Sequence, residues 1–206
     1  MVIAGAGGHG LEVLEILLTK GFSKNDIIFF DQYPLKSDQL VCGIRVVSEM
    51  EEIKQYFSLS NHFCLGVGSP AFRESLFNFL VQAGGYLKML VSDSAFLSRS
   101  ATGEFDAMPF SFIGPETKIG QGVLINTRAH VHHESQVGDF TDIGPGAMLL
   151  GNSRAGKRCR IGAGAILLPG VKIGDDVIVG AGAVVTRDFD SGSMVAGVPA
   201  KPLKSS

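Results

Sequence analysis

Residues 161–185 read IGAGAILLPGVKIGDDVIVGAGAVV, and an apolar side chain returns at every sixth position of this stretch. The same step extends back to Ile113, so that thirteen consecutive sixth positions from Ile113 to Val185 are apolar. A small side chain commonly stands four residues after the apolar one, as at Ala129, Ala147 and Ala165. Helical arrays have longer periods and sandwiches alternate with period two. The six-residue step instead predicts a triangular parallel β-helix, in which three hexads complete one coil.

The same spacing predicts how each coil is filled. The apolar residue of a hexad is expected to fill the interior, and the small residue to lie at a corner that leaves little room. Glycines that directly follow the apolar positions, as at Gly114, Gly120 and Gly138, are expected to allow the backbone angles of the corners. Successive coils would stack at the ~4.8 Å spacing of neighbouring strands. A weaker run at the same step, from Ala95 to Ala107, indicates an imperfect first coil that begins near residue 94.

The first half of the chain has a different period. Up to about Val91, short apolar runs alternate with stretches of helical spacing, a pattern typical of parallel strands joined by crossover helices. Strands are expected over 2–4, 27–30, 63–65 and 87–91. Ser48 and Glu51 have the spacing of a capping box at the start of a helix. The sequence therefore predicts a small α/β domain with a Rossmann-like parallel sheet over 1–93, followed by a β-helix domain with a C-terminal tail over 94–206.

Composition excludes several classes of protein. The chain has 18 Lys and Arg against 20 Asp and Glu, and no basic stripe stands out, which argues against nucleic acid as a partner. Cys42, Cys64 and Cys159 are odd in number and lack metal-type spacing, so we expect neither a disulfide framework nor a zinc site, and we expect a cytoplasmic protein. No apolar run approaches the roughly 18 residues of a membrane span, and the first residues lack the pattern of a signal peptide.

A glycine-rich segment follows the first predicted strand. Gly5, Gly7 and Gly10 have the GxGxxG spacing where a helix begins, a place at which backbone N–H groups can bind phosphate. Asp31 ends the second predicted strand, as an acidic residue does in NAD-binding domains. Three interpretations stay open: a dinucleotide site, a site for another diphosphate such as that of a nucleotide sugar, or tight turns that bind nothing. The domain is short for the six-stranded dinucleotide fold, which disfavours NAD.

Two stretches of the second half carry a family resemblance. Residues 124–142 read LINTRAHVHHESQVGDFTD, and the tail contains VGAGAVVTRDF at 179–189 and VAGVPAKPL at 195–203. Together with the hexads they resemble the sialic-acid O-acetyltransferase-like family of sugar acyltransferases, especially the bacterial nucleotide-amino-sugar N-acetyltransferases of the bacillosamine-pathway type. The resemblance covers nearly the whole chain. It implies a left-handed β-helix, a homotrimer, an N-terminal domain that holds the nucleotide sugar, and acetyl-CoA bound between neighbouring prisms without a metal.

The histidines indicate where the chemistry takes place. Acetyl transfer needs a base that removes the acceptor proton and a donor that stabilises the oxyanion. Histidine suits the first task at neutral pH, and three of the five histidines, His130, His132 and His133, cluster in one hexad region. The resemblance assigns the general base to His133 and the polarisation of that base to Glu134.

The family pattern also implies contacts to the acetyl group and to the two substrates. Gly151 matches the position whose backbone N–H lies near the acetyl carbonyl. Asp142 stands where relatives often carry a second histidine near the thioester. An ionised carboxylate cannot donate a hydrogen bond to the thioester oxygen, so that hydrogen bond is absent, made by water, or supplied by another group. The resemblance places Ala163, Ala181 and Gly182 beside CoA. For the nucleotide sugar, it places Ala6, Gly7, Gly8 and His9 at the diphosphate and Asp31 and Gln32 at the nucleoside. Gly66 and Val67 would line the rest of the nucleotide-sugar pocket.

The sequence thus predicts an acetyl-CoA-dependent N-acetyltransferase that acts by direct attack on a nucleotide-linked amino sugar, specifically a UDP-4-amino-4,6-dideoxy sugar made for surface glycans. Two alternatives stay open: O-acetylation of a sugar hydroxyl, for example on sialic acid, and a non-catalytic trimeric scaffold that binds the nucleotide sugar. A zinc site like that of the gamma-class carbonic anhydrases is disfavoured, because three histidines within residues 130–133 are too close in sequence for tetrahedral ligation.

Overall fold

A computed structural model describes residues 1–32 and 40–203. The chain divides into two compact units, the first formed by Met1–Gly68 and Phe72–Met89 and the second by Ser69–Ala71 and the chain from Leu90 onward. Among the residues described, no helix is both long and apolar enough to cross a membrane.

The first unit is built on a sheet with the strand order β3-β4-β2-β1-β5-β6. All neighbouring strands are parallel except β3 and β4, which form an antiparallel pair. The apolar runs form the core strands because both faces of such a sheet are covered. The elements are β1 (Val2–Ala4), α1 (Gly8–Thr19), a short 3₁₀ helix (Lys24–Asp26), β2 (Ile28–Phe30), β3 (Leu40–Val41), β4 (Ile44–Val47), α2 (Met50–Phe57), β5 (His62–Leu65), α3 (Pro70–Gln82) and β6 (Tyr86–Leu87).

Two local predictions for this unit need correction, and one paired strand was not predicted. Helix α2 begins one residue later than a capping box at Ser48 requires: its N-cap is Glu49, and no side chain caps it. The last strand is only Tyr86–Leu87, and the chain from Leu90 onward belongs to the second unit. Strand β4 (Ile44–Val47) was not predicted, although it pairs in parallel with β2.

The second unit is a parallel β-helix whose strands repeat every eighteen residues. Val131, for example, pairs with Ile113 in the preceding coil and with Leu149 in the following coil. Each residue therefore stacks on its equivalents in the neighbouring coils. The strands are β7 (Phe96–Leu97), β8 (Thr102–Ala107), β9 (Phe112–Ile113), β10 (Lys118–Ile125), β11 (His130–Val131), β12 (Gln136–Val137), β13 (Asp142–Ile143), β14 (Met148–Leu149), β15 (Arg154–Ala155), β16 (Arg160–Ile161), β17 (Ile166–Leu167), β18 (Lys172–Ile173), β19 (Ile178–Val179), β20 (Val184–Val185), β21 (Met194–Ala196) and β22 (Lys201–Pro202).

These strands form the three faces of a prism. The first face contains β7, β9, β11, β14, β17 and β20. The second contains β12, β15 and β18, and the third contains β13, β16, β19 and β21. The long strands β8 and β10 pair along both of these faces and join them into one sheet. The predicted weak first coil is present, since Phe96–Leu97 pairs with Phe112–Ile113 and Ala107 is fully buried.

The interior of the prism is the predicted one. The apolar hexad positions from Ile113 to Val185 are all buried, and the small residues Ala129, Ala147 and Ala165 are fully buried beside them. Cys159 occupies one of these small-residue positions, where its thiol donates to the carbonyl of Gly174 at 3.0 Å. Cys159 therefore has a packing role at a corner of the coil.

The role predicted for the glycines needs correction. The left-handed residue of each corner comes three residues after the apolar position, and it is often not glycine, as at Glu134 (φ 60°) and Asn152 (φ 55°). Gly138, directly after an apolar position, has no positive φ; a Cβ there would lie 2.6 Å from the carbonyl carbon of Gly156. These glycines are therefore required because the next coil stacks directly on their backbone.

The first face presents an unusual outer surface. Because successive strand residues point to opposite sides, the residue before each buried apolar position points outward. On this face those outward residues are Phe96, Phe112, His130, Met148, Ile166 and Val184, which we call the apolar face. Contiguous apolar surface of this kind is normally covered by a partner.

Candidate functional site

His133 lies at the corner that follows β11, between the first and second faces of the prism. Its side chain is 60% exposed, and its Nδ1 lies 3.0 Å from Oε2 of Glu134. Glu134 is held by the corner itself: it has a left-handed φ of 60°, and its N–H donates to the carbonyl of Pro115 in the preceding coil at 3.0 Å. The hexad geometry therefore fixes the direction in which this carboxylate can meet the imidazole.

This pair has a definite chemical capacity. A carboxylate at Nδ1 stabilises the tautomer in which Nδ1 carries the proton, and Nε2 is then left with a lone pair. A neutral imidazole with a free Nε2 and 60% exposure can accept a proton from a bound nucleophile. The structure thus brings the predicted base and its predicted orienting acid together.

Gly151 lies one coil beyond His133 and contacts its ring. A Cβ on Gly151 would lie 2.5 Å from both Nε2 and Cε1 of His133, so only glycine leaves room for the imidazole in this position. Asn152 donates its N–H to the carbonyl of His133 at 2.9 Å, which ties the two corners together. Among the hydrogen bonds of the described residues, none is donated by the N–H of Gly151. A glycine N–H beside the free nitrogen of a base is a suitable oxyanion donor.

The other two clustered histidines have a different environment. His130 and His132 pack with Phe112 on the outer side of the first face, with ring centroids 5.8 and 5.5 Å from the phenyl ring. Burial, together with the neighbouring His130 and His133, lowers the pKa of His132. The rings of His130 and His132 are packed against Phe112, whereas the ring of His133 is exposed. Within 1–32 and 40–203, no group of three metal-ligating side chains is arranged to hold a metal ion.

The remaining predicted residues of the β-helix lie elsewhere on the prism. Asp142 is in β13 on the third face and is buried, half a coil away from His133. Ala163, Ala181 and Gly182 are exposed at the corner that follows the third face. A single chain therefore does not bring these four residues together with His133, because Asp142 lies on the third face and the other three lie along a different edge of the prism.

In the first unit, the glycine-rich segment combines two kinds of glycine. Gly5 has a φ of 112°, and a Cβ on Gly10 would lie 2.1 Å from the carbonyl oxygen of Gly5, so both are required by the turn and by the packing of α1. Gly7 and Gly8 have no positive φ, and a Cβ at either would meet nothing within 4 Å. The chain itself does not require glycine at these two positions, which leaves an open surface at the first turn of α1.

This open surface has the features of an anion site. The first turn of α1 contains no acidic residue, and backbone N–H groups at a helix N-terminus attract negative charge. His9 is turned toward the helix, with its Nδ1 2.9 Å from Oε2 of Glu12. The N–H of Ala6 is already donated to Oδ2 of Asp31 at 2.9 Å, and the residues that follow it at the turn are Gly7 and Gly8.

A small cavity adjoins the segment. It has a volume of about 120 Å³, and it is lined by Gly5, Asp31, Gln32, Val67, Phe72, Ser75 and Leu76. The predicted nucleoside contacts Asp31 and Gln32 therefore share one cavity with Val67. Gly66 lies behind it, where a Cβ would be 2.8 Å from the carbonyl oxygen of Gly5.

Sequence reasoning missed the helix α3 side of this cavity. Phe72 is 57% exposed at the cavity, an unusual position for a large apolar side chain. Arg73 is fully buried and donates to the carbonyl oxygens of Leu65 and Val67 at 3.3 and 2.8 Å, which holds the loop after β5. The available signal was an arginine directly after a phenylalanine near the start of this helix.

Comparison with known proteins places these features in a family. Residues 1–80 match the PglD N-terminal domain, and residues 156–187 match the bacterial transferase hexapeptide repeat. The acetyltransferase domain of PglB from Neisseria gonorrhoeae, solved with acetyl coenzyme A, is 32% identical, with a TM-score of 0.88 and 98% of both chains covered. PerB from Caulobacter crescentus, solved with CoA and GDP-perosamine, is 32% identical, with a TM-score of 0.90 over 98% of this chain and 96% of that one.

A more distant structure has the same extent. WeeI from Acinetobacter baumannii is 25% identical over 98% of both chains, with a TM-score of 0.71. The predicted combination of a Rossmann-like domain with a left-handed β-helix is therefore confirmed along nearly the whole chain. The chain belongs to the hexapeptide-repeat acetyltransferases that carry a PglD-type N-terminal domain, and it is an acetyltransferase.

Proposed function

We propose that this enzyme transfers the acetyl group of acetyl-CoA to the amino group of a nucleotide-linked amino sugar. The acceptor that we propose is a UDP-4-amino-4,6-dideoxy sugar destined for surface glycans. Support comes from the relatives: PglB was solved with acetyl coenzyme A, and PerB with CoA and GDP-perosamine. Two further structures of the Caulobacter enzyme are histidine variants, to asparagine and to alanine, each with CoA and GDP-perosamine.

The proposed reaction is a direct attack. The acceptor amine attacks the thioester carbonyl, and Nε2 of His133 takes the proton that the nitrogen loses. Glu134 stabilises the imidazolium through the 3.0 Å contact at Nδ1. The backbone N–H of Gly151 donates to the oxyanion of the tetrahedral intermediate. The C–S bond then breaks, and the proton on His133 passes to the departing CoA thiolate.

The first unit is proposed to hold the nucleotide sugar. Its diphosphate would lie against the N–H groups of Gly7, Gly8 and His9, where the missing side chains allow close approach. The nucleoside would occupy the cavity beside Asp31 and Gln32. Asp31, whose Oδ2 accepts a hydrogen bond from the N–H of Ala6, is proposed to face the nucleoside.

The complete site is proposed to require a second copy of the chain, in a homotrimer. The apolar face would be buried between copies, which accounts for its outward apolar residues. The corner that carries His133 borders this face on one side, and the corner that carries Ala163, Ala181 and Gly182 borders it on the other. Packing of this face around a threefold axis would bring His133 of one copy beside the other corner of its neighbour, and CoA would lie between them.

The observation that carries the proposal is the contact of the exposed His133 ring with Glu134 on one side and Gly151 on the other. The test offers the purified protein acetyl-CoA together with UDP- and GDP-linked 4-amino-4,6-dideoxy sugars, the matching 4-hydroxy sugars, and free sialic acid. Free CoA thiol is measured. We expect release only with nucleotide-linked amino sugars, and most rapidly with the UDP form. If CoA were released with the hydroxy sugars or with sialic acid, the acceptor group would be a hydroxyl and not an amine.

A further inference from the structure

A buried arginine lies in the first turn of helix α3 (Pro70–Gln82). Arg73 has no exposed surface. Arginine is rarely buried completely, because its charge must be compensated once water is removed. A cation in the first turn of a helix is also disfavoured by the helix dipole. Two general preferences therefore oppose an arginine at this position, and the interactions of its guanidinium group must offset both.

The guanidinium group holds the loop that precedes the helix. Side chains of a helix point back toward its N-terminus, so Arg73 reaches the loop between β5 and α3. Its Nη1 donates to the carbonyl oxygen of Leu65 at 3.3 Å and to that of Val67 at 2.8 Å. These two carbonyl groups lie on either side of Gly66. A single rigid group therefore fixes both ends of the segment 65–67.

This segment packs against the glycine-rich turn that follows β1. The N–H of Gly66 donates to the carbonyl of Ala4 at 2.7 Å. A Cβ on Gly66 would lie 2.8 Å from the carbonyl oxygen of Gly5, and a Cβ on Gly5 would lie 2.5 Å from Cγ1 of Val67. Because the two loops are in direct contact, a displacement of the segment 65–67 must also disturb the turn at Gly5.

The two loops flank the point where the sheet changes direction. Strand β1 lies between β2 and β5, so the chain continues on one side of β1 and later returns to its other side. Ligands of open parallel sheets bind outside the carboxyl ends of the strands at such a point. Gly5 and Val67 both line the cavity of about 120 Å³ at this place. Because Arg73 has no exposed surface, it acts on a ligand there only through this wall.

We infer that Arg73 is a positioning residue that sets the affinity for the nucleotide part of the acceptor by fixing the segment 65–67. This inference rests on the proposed function, because that function places the nucleoside in the cavity. A loop that is already held in its binding geometry loses little freedom when the ligand arrives. Without Arg73 the nucleotide would have to order the loop itself, and binding would weaken. The proposed base, His133, belongs to the second unit, so turnover of the bound substrates should not depend on Arg73.

The experiment compares the wild-type enzyme with Arg73→Met, Arg73→Lys and Leu80→Ala. Methionine fills part of the space without a donor, whereas lysine keeps a charged donor but lacks the planar fork. Leu80 is fully buried in the same helix and belongs to the core of the first unit, so its truncation controls for lost stability. The kcat, the KM for acetyl-CoA, the KM for the UDP-linked amino sugar and the melting temperature are measured.

The expected result separates the two substrates. We expect Arg73→Met to raise the KM for the nucleotide sugar by about tenfold, the scale of losing a hydrogen bond from a charged donor, and Arg73→Lys to raise it less. The KM for acetyl-CoA and the kcat should stay the same in both variants. Leu80→Ala should lower the melting temperature and leave all three kinetic constants unchanged. If Arg73→Met does not fold, the comparison of Arg73→Lys with Leu80→Ala decides.

Binding of UDP and of GDP, measured by calorimetry, gives a readout without turnover. Arg73→Met should bind the nucleotide preferred by the wild type about tenfold more weakly, and Leu80→Ala should bind it equally well. Unchanged binding in the Arg73 variants, or the same loss in Leu80→Ala, would overturn the inference. A wild-type protein that binds a nucleotide but releases no CoA with any acceptor would refute the proposed function alone. A wild-type protein that binds neither nucleotide would refute both.

Discussion

Gly151 lies directly against the imidazole of His133, one coil further along the same edge of the prism. An added Cβ would be 2.5 Å from Nε2, closer than such atoms approach in proteins. Because the opposite side of the ring is held at Nδ1 by Glu134, the imidazole is fixed from both sides. The position of the base is thus set by two corners of the β-helix.

Gly151→Ala is expected to displace the ring and to lower kcat. Its backbone has no positive φ, so the substitution should fold with little change in melting temperature. A displaced base and a blocked oxyanion donor together should lower kcat by about a hundredfold, the scale of losing one such donor. Steady-state kinetics and a thermal melt measure the two effects. Gly146→Ala, at another corner with open surroundings but a φ of 67°, is the control for a corner glycine. Normal kcat in Gly151→Ala would show that the ring is not constrained there.

Glu134→Gln is expected to lower kcat while the KM values change little. The neutral amide holds Nδ1 less strongly, and it cannot stabilise an imidazolium as a carboxylate does. We expect a fall of about tenfold, smaller than for loss of the base itself. Glu116→Gln, in the preceding coil at an equivalent corner, is the matched control. If both substitutions had the same small effect, Glu134 would have no special role.

The glycines beside the apolar hexad positions should be needed for stability. In Gly138→Ala, the methyl group would meet the backbone of the next coil at 2.6 Å, where no flexible side chain can move away. Overpacking of this kind costs about 1–3 kcal/mol. Denaturant unfolding measures the loss. Gly164→Asn is the control, because its φ of 67° is one that asparagine accepts and its surroundings are open. An equal loss in both variants would contradict the stacking explanation.

Cys159 should not react or carry an acetyl group. Burial raises the pKa of its thiol to about 11, so that almost no thiolate exists at neutral pH. Cys42 is exposed and should be alkylated by N-ethylmaleimide in the folded protein, whereas Cys159 should react only after unfolding. Mass spectrometry of peptides distinguishes the two residues. An acetylated Cys159 after incubation with acetyl-CoA would contradict direct attack.

The sequence predicted the β-helix well because each hexad repeats one local requirement. An apolar residue at every sixth position, such as Ile161 or Leu167, can be buried only in the interior of the prism. Because three hexads complete one coil, the repeat also determines which residues pair between neighbouring coils. The His133–Glu134 pair was also predictable, because the two residues are adjacent.

Relationships between coils were harder to predict. The contact between Gly151 and His133 joins residues eighteen positions apart, so it is not visible as a local motif. The purpose of the glycines was misjudged for the same reason, since their crowding comes from the coil above. In the first unit, the hydrogen bond from Ala6 to Asp31 depends on how β1 and β2 pair, which composition does not determine.

The most direct test of the account is the turnover of His133→Ala with acetyl-CoA and a UDP-linked 4-amino-4,6-dideoxy sugar. We expect the release of CoA to fall by about 10²- to 10⁴-fold, the contribution of a general base, while the affinity for the nucleotide sugar stays nearly unchanged. His62→Ala, an exposed histidine of the first unit, should keep full activity. Wild-type turnover in His133→Ala would contradict the assignment of the base, and with it the proposed mechanism.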